Sequence, residues 1–360
     1  MNTYSNSLIE HTVFRSAYKQ LKAGVFNGPH EIYLVIGPTG TGKSTALKLL
    51  EGDLIQAGRE KSRVGLLSHV HMRLKAPPSG PFNLRHFEHL YLRNLNEPLA
   101  GYKECPEKIR QKYAEIKNPS RYDLSTLGTE YFLEQSLRQR RPLATLLDEG
   151  QHLAIAGSHT KLRQNLEYVK SLANNGDVKH VLFGTYDLYA ASLLSGQITR
   201  RTGVIHLRRY LANEEDAPHF LGILNKLTED FQLSFAFDVS KQVSFFYRRC
   251  LGCIGLLKNW FHSASNLYGN KKKLTMDDMD KVARSGVELA SIMREIAQGE
   301  LLMREAMPFT EQLDLPFPDK TLFVSVDPSP PPAPKKKEFF KRKLNRAPIG
   351  EIVTGAQSQV

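Results

Sequence analysis

A glycine-rich loop near the N-terminus has the residue types and spacing that bind a chain of phosphates. It matches G-x-x-x-x-G-K-[ST] without exception, in the order Gly37, Pro38, Thr39, Gly40, Thr41, Gly42, Lys43 and Ser44. The glycines let backbone N–H groups surround the phosphates, and the helix that begins here, with Thr45 in its first turn, presents its positive end to them. We expect Lys43 to reach the β- and γ-phosphates and Ser44 to ligate Mg²⁺. The sequence therefore predicts that ATP and Mg²⁺ bind here.

A second motif has the carboxylates that hydrolysis of a bound nucleotide needs. The apolar run Leu143–Leu147 is followed directly by Asp148 and Glu149. We expect Asp148 to hold Mg²⁺, directly or through water, and Glu149 to polarise the attacking water. Any strand can end in acidic residues, but an intact Asp-Glu pair downstream of a P-loop predicts an ATPase rather than a protein that only binds ATP.

Two further polar positions leave alternatives open. Thr185 follows an apolar run, where it could contact the γ-phosphate or the lytic water, or simply cap the next helix. Arg200 and Arg201 precede another apolar run, and they are either solvated surface residues or the source of an arginine finger. A finger acts in a neighbouring subunit's ATP site, so that second reading requires an oligomer.

The elements that position these residues alternate between strands and helices. Apolar runs predict five strands, at Ile32–Ile36, Val64–Val70, Leu143–Leu147, Val181–Phe183 and Gly203–Leu207. Helical patterns lie between and before them, at 7–26, 45–57, 125–140, 160–174 and 187–195. This alternation predicts an α/β fold with a parallel sheet covered on both faces.

The rest of the chain has a different character. Only helices are predicted after Tyr210, at about 213–229, 239–249, 253–268, 275–285 and 286–304. Beyond Met307 comes a proline-rich stretch and then a basic segment. We therefore expect an N-terminal helix at 1–28, an ATPase core at 29–211, a small helical lid at 212–306 and a flexible basic tail at 307–360.

The net charge of +12 and pI of about 9.4 favour a polyanionic partner. Much of this charge lies in the tail segment Lys335–Arg346, which has seven basic residues and one acidic residue. That segment also contains Phe339 and Phe340, which suit docking into a protein groove. The folded part is only mildly basic, which is consistent with nucleic-acid binding without requiring it.

Several other features have simple explanations. The chain has three cysteines, of which Cys250 and Cys253 form a C-x-x-C pair that lacks the second pair a structural zinc needs. His86 and His89 do not have H-E-x-x-H spacing, so we interpret them as positions on an amphipathic helix. Neither a signal peptide nor a membrane span is evident, and we expect a cytoplasmic protein.

The order of these motifs resembles that of the AAA+ superfamily, and the helical region resembles its lid. Within it, LLDEGQHL, VLFGTYDL, SGQITRR and FFYRRCLGCIGLLKNWFHSA are similar to the transposition regulators called TniB, TnsC and MuB. The run from Val204 through Ala217 to Leu227, followed by Gly252–Lys258, is typical of that group. The resemblance covers about residues 8–298.

The resemblance implies a regulator that binds ATP between subunits, forms helical filaments or rings on double-stranded DNA, and links a TniQ- or TnsD-type target selector to the transposase. It also implies that Thr185 is the first sensor and that Arg200 or Arg201 is the finger. Many AAA+ lids have an arginine, the second sensor, where this chain has Gly255. Lys258, one turn along, is the candidate substitute. The tail is a candidate contact for the transposase.

In this group, loops of the ATPase domain contact DNA. The candidates here lie between the second and third predicted strands, and they are Arg73, Lys75, Lys103, Lys112 and Arg121. Binding to duplex phosphates needs only lysines and arginines, so each could equally belong to a solvated charged insertion. Two other functions remain open: an AAA+ replication initiator or helicase loader, and a P-loop phosphotransferase that acts on a small molecule.

Overall fold

Five parallel strands form the central sheet, in the order β2-β3-β4-β1-β5. The computed structural model describes residues 11–60, 66–96, 121–155 and 158–305. The strands are β1 Ile32–Ile36, β2 His69–Arg73, β3 Ala144–Asp148, β4 Lys179–Gly184 and β5 Thr202–His206. Helices connect each strand to the next, as parallel pairing requires. The predicted α/β fold is therefore confirmed.

The helices of the ATPase region pack on both faces of this sheet. They are α1 Thr12–Asn27, α2 Lys43–Glu60, α3 Leu84–Asn94, α4 Arg121–Arg140, α5 His159–Gly176, α6 Tyr186–Ser192 and α7 Gly196–Arg201. Side chains of alternate residues in β1 point to opposite faces of the sheet. Ile32, Leu34 and Ile36 join a core with α3 to α6, whereas Tyr33 and Val35 join a core with α1 and α2. This period of two buries the strand completely.

Strand β2 differs from the sequence prediction. The prediction was Val64–Val70, but the strand is His69–Arg73. It lies at the edge of the sheet, and only Val70 and Met72 are buried. An edge strand of this kind alternates between buried and exposed residues, so searching for a continuous apolar run placed it too early in the chain.

The region after β2 contains α3, which confirms that His86 and His89 lie on a helix. It begins at the cap residue Asn83, whose side chain accepts a hydrogen bond from His86 N at 3.0 Å. The predicted helix 187–195 corresponds to α6, and the separate short helix α7 that follows it was not predicted. The Thr199 hydroxyl bonds back to the carbonyls of Ser192 and Ser195, which stabilises the break.

The helical region has a hydrophobic core of its own. Its helices are α8 Asp216–Asp230, α9 Val243–Cys250, α10 Ile254–Tyr268, α11 Met276–Lys281 and α12 Gly286–Glu305. Phe246, Phe261 and Trp260 lie at its centre, and the Trp260 indole donates to the Met279 carbonyl at 2.8 Å. The last helix, α12, contributes Ile296 to this core and Met303 to the core of the ATPase region.

Candidate nucleotide-binding site

The P-loop connects β1 to α2 at the carboxyl edge of the sheet. Gly40 and Gly42 have φ values of 78° and 99°, a conformation that L side chains rarely adopt. The Thr41 hydroxyl donates to the Pro38 carbonyl at 2.9 Å and closes the loop on itself. The Lys43 ammonium donates to the carbonyls of Gly37 and Pro38, both at 2.7 Å. The loop therefore has the backbone geometry of a phosphate cradle, with an ammonium group inside it.

Burial lowers the pKa of Lys43 to about 8, although the nearby carboxylates, including Glu295, Glu149 and Asp148, act in the opposite direction. Lys43 is thus poorly solvated, and among the described residues its hydrogen-bond partners are backbone carbonyls. A phosphate chain supplies the negative charge that such a buried ammonium lacks. The electrostatics of the loop therefore favour a polyphosphate ligand.

The Asp-Glu pair lies beside the loop. Asp148 ends β3, and its Oδ1 accepts a hydrogen bond from Glu149 N at 2.9 Å. Asp148 and Ser44 both line the cavity that the P-loop opens into. A carboxylate and a hydroxyl are oxygen donors of the kind that Mg²⁺ prefers, so these residues fit the role of holding the ion that accompanies a nucleotide.

The Glu149 side chain is held by two hydrogen bonds. Gln151 Nε2 donates to Oε2 at 2.6 Å, and Arg73 Nη2 donates to Oε1 at 3.2 Å. Burial would raise the pKa of Glu149, but these two donors lower it below its ordinary value. Glu149 is therefore ionised at neutral pH, as a general base must be. The same contact shows that Arg73, a candidate DNA contact, lies next to the candidate base.

Thr185 lies at the same edge, directly after β4. It occupies the cap position of α6, but its side chain makes no capping hydrogen bond to that helix. Its backbone N–H instead donates to Gln151 Oε1 at 3.3 Å, so Gln151 joins Thr185 to Glu149. Thr185 lines the cavity, where its hydroxyl can meet a phosphate or a water molecule.

The helical region, which is the predicted lid, lines one side of the cavity and makes a close backbone contact with the P-loop. Gly255 N donates to Gly40 O at 2.7 Å, and a Cβ at position 255 would lie only 2.8 Å from Gly40 Cα. An arginine therefore cannot occupy this position without moving the P-loop. Two lid cations line the cavity instead, the expected Lys258 and the unexpected Arg284. Arg284 precedes α12 and pairs with Glu288 at 3.4 Å.

The far end of the cavity is formed by the start of α1. His11 and Phe14 line it, and the Phe14 ring packs against Gly42 of the P-loop. His11 Nδ1 accepts hydrogen bonds from Phe14 N at 3.3 Å and from the Tyr210 hydroxyl at 2.9 Å, and burial lowers the His11 pKa to about 4. Sequence reasoning missed these residues because no motif marks them. The cavity measures about 870 Å³, which is large enough for a nucleotide.

The paired arginines lie away from this cavity. Both are on the surface where α7 meets β5, whose opposite end joins the P-loop edge of the sheet. Arg201 forms an ion pair with Glu31 at 3.4 Å. Arg200 is exposed, and across the described ranges no ion pair involves it. The structure therefore distinguishes two residues that the sequence left equivalent.

The remaining candidates for DNA contact are only partly described. Lys75 is exposed just beyond β2, two residues after Arg73. Arg121 begins α4, and its side chain lies outside the described residues, as do Lys103, Lys112 and the whole tail from 306 onward.

Two described cysteines, Cys250 and Cys253, are buried, and burial raises their thiol pKa values, to about 12 for Cys253.

Comparison with known families agrees with this geometry. Residues 28–191 match the family model described as an AAA domain. This match agrees with the α/β fold and the P-loop geometry described above. The match includes the P-loop, the Asp-Glu pair and Thr185, and it ends before the paired arginines and the lid. Among proteins of curated function, none has a matching sequence.

Three solved structures have a similar arrangement. A Walker-type ATPase of Pyrococcus abyssi is 12% identical, with a TM-score of 0.45 over 84% of this chain and 79% of that one. The ORC2 protein of Aeropyrum pernix, in ADPNP-ADP complexes, is 14% identical, with a TM-score of 0.49 over 80% and 73%. Domain III of the replication initiation protein DnaA of Thermotoga maritima is 14% identical, with a TM-score of 0.43 over 78% and 96%.

Within the described ranges, no helix is both long and apolar enough to cross a membrane. No cluster of three histidine, cysteine or acidic side chains in them could hold a metal ion by itself. The Mg²⁺ site considered above differs, because a nucleotide's phosphates would supply part of its coordination.

Proposed function

We propose that this protein is an ATP-dependent, DNA-binding regulator of transposition that assembles on duplex DNA and is released by hydrolysis. The observation that carries the ATP switch is the single cavity shared by Lys43, Asp148, Glu149, Thr185 and the lid. A ligand that contacts core and lid together favours the conformation in which both contacts are made. ATP binding and hydrolysis can therefore change the conformation of the protein.

We propose that subunits assemble because the paired arginines lie outside the cavity of their own chain. The described cations that line it come from the P-loop helix and the lid, and the paired arginines do not reach it. In this proposal, Arg200 completes the ATP site of a neighbouring subunit, while Arg201 stays paired with Glu31 of its own subunit. Leu193 and Leu194, just before α7, are 41% and 43% exposed, and such apolar side chains suit a subunit interface. The assembly is a homo-oligomeric filament or ring.

Contact with DNA is proposed for the end of β2. Arg73 is 72% exposed and Lys75 is exposed beside it, so both can reach a phosphate backbone. Because Arg73 also contacts Glu149, DNA that binds Arg73 competes with that contact. This offers a physical route by which DNA can alter hydrolysis.

The transposition partners are proposed from the sequence resemblance. They are the transposase and a TniQ- or TnsD-type target selector. The basic tail, with Phe339 and Phe340, is the proposed contact for the transposase. Deleting residues 327–360 is expected to weaken transposase recruitment in a pull-down and to leave ATP-dependent DNA binding intact. Loss of DNA binding on this deletion would show that the tail is a DNA-binding arm instead.

The experiment that tests the proposal is negative-stain microscopy of the protein with a long duplex, with and without a non-hydrolysable ATP analogue. Regular filaments or stacked rings that require the nucleotide are expected. Dispersed particles under both conditions would refute the assembling regulator. DNA-dependent particles of fixed small size would favour a replication initiator or helicase loader, and monomers indifferent to DNA would favour a small-molecule phosphotransferase.

A further inference from the structure

A buried arginine joins the ATPase region to the lid at a point outside the motifs discussed so far. Arg209 follows β5, and its side chain is 9% exposed. Its Nε and Nη2 donate to the two carboxylate oxygens of Glu300 on α12, at 2.7 and 3.1 Å. Burial alone would lower the pKa of Arg209, but Glu300 raises it above its ordinary value. The bidentate geometry fixes the orientation of the guanidinium plane.

That orientation directs the third nitrogen of Arg209 at the turn between α9 and α10. Its Nη1 donates to the Leu251 carbonyl at 3.2 Å and to the Tyr247 hydroxyl at 3.0 Å. The next residue, Gly252, accepts a hydrogen bond from Tyr210 N at 3.0 Å. Leu251 and Gly252 both have positive φ, at 55° and 75°, so this turn needs such external contacts to hold its shape.

The same turn places the lid on the P-loop. It leads through Cys253, the cap residue of α10, to Gly255, whose N–H donates to Gly40 O at 2.7 Å. Only three residues separate the Leu251 carbonyl, which Arg209 binds, from the Gly255 N–H that contacts the P-loop. A displacement of the turn would therefore move the N–H that contacts the phosphate-binding loop.

Helix α12 is well placed to act on this turn, because it contacts both regions. Ile296 packs in the lid core and Met303 in the ATPase core. Gly299 lies against the Tyr186 ring so closely that a Cβ there would lie 2.0 Å from it, and Tyr186 follows Thr185 directly. Glu300 thus projects from a helix that is anchored on either side of it.

We infer that Glu300 is a positioning residue for the nucleotide site, which acts through Arg209 and the α9–α10 turn to hold Gly255 against Gly40. Glu300 does not itself line the cavity. The inference rests on nucleotide binding at the P-loop, the first step of the proposed function. Weakening the Glu300 contact loosens the lid from the P-loop, and bound nucleotide then leaves faster.

The test is the dissociation rate of a fluorescent ATP analogue with Mg²⁺, measured by stopped flow well below the melting temperature. Glu300→Gln keeps the shape of the side chain but removes its charge and one acceptor, and we expect dissociation to be about tenfold faster. Glu300→Asp keeps the charge on a shorter arm and should give a smaller increase. Asp277→Asn removes an exposed lid ion pair with Lys281 and should leave the rate unchanged.

A double-substitution cycle separates positioning from general destabilisation. Gly255→Ala disrupts the contact with Gly40 directly, so adding Glu300→Gln to it should cause little further acceleration. Additive effects, or a Glu300→Gln variant that melts earlier but releases nucleotide at the normal rate, would overturn the inference. If Glu300→Gln does not fold, Glu300→Asp is measured in the same cycle against the same criteria. Absence of nucleotide binding in the unaltered protein would instead refute the nucleotide site itself.

Discussion

Replacing Arg73 with alanine should increase the ATPase rate in the absence of DNA and abolish stimulation of that rate by DNA. The Arg73 guanidinium holds Oε1 of Glu149 at 3.2 Å, and Gln151 holds Oε2 at 2.6 Å. A carboxylate held on both oxygens is hindered from taking a proton from water. Removing Arg73 frees one oxygen, whereas removing Gln151 would also disturb Thr185.

The size of the effect follows from the exposure of the pair. Arg73 is 72% exposed and Glu149 is 33% exposed, so solvent screens the contact substantially. Exposed ion pairs contribute about 0.2–1 kcal/mol, which corresponds to a change of about 1.4- to 5-fold in the fraction of free carboxylate. We therefore expect the DNA-free rate to rise by a factor within that range and no further.

The assay is steady-state hydrolysis with and without a duplex, at low and moderate salt. Lys75→Ala is the matched control, because Lys75 is exposed nearby and could bind the same phosphates. It should weaken DNA binding and reduce its salt dependence, yet leave the DNA-free rate unchanged. An Arg73→Ala variant with an unchanged or lower DNA-free rate and normal stimulation would refute the reasoning.

Three further predictions concern the ATP site and its neighbours. Glu149→Gln should bind ATP normally but hydrolyse it at least about a hundredfold more slowly, because the general base is lost. Its assemblies on DNA should therefore be long-lived. Light scattering measures their lifetime, and rapid disassembly in the presence of ATP would contradict this prediction. ATP should bind the form of the protein in which Lys43 is protonated, and the pKa of Lys43 is about 8. The affinity for ATP, measured by calorimetry, should therefore be constant below pH 7 and about tenfold weaker by pH 9. A Lys43→Arg variant should show no such decline. Arg200→Ala should abolish hydrolysis, and mixing this variant with Glu149→Gln subunits should restore it. Arg201→Ala should stay active and lose about 0.2–1 kcal/mol of stability, because only its exposed ion pair with Glu31 is removed. If mixing does not restore hydrolysis, an arginine finger acting in a neighbouring subunit is ruled out.

The sequence by itself predicted the α/β fold and the P-loop between β1 and α2, because both depend on patterns of neighbouring residues, although it placed β2 too early. The P-loop conformation depends on eight consecutive residues, with Gly40 and Gly42 at the two positive φ positions. The Asp-Glu pair follows an apolar run that has to be a buried strand. Parallel pairing of such strands brings their carboxyl ends to one edge, so Thr185 joins the pair without any further information.

The tertiary structure alone decided which residues outside the motifs line the cavity or brace it. His11 and Arg284 line the cavity and Glu300 pairs with Arg209, and no local pattern distinguishes them from surface residues. The structure also showed that Arg201 is paired with Glu31, which distinguishes it from Arg200. It placed Arg73 beside Glu149, although the sequence had indicated Arg73 only as a DNA contact. Spacing along the chain reports backbone periodicity, whereas these contacts depend on how the lid and the first helix pack against the sheet.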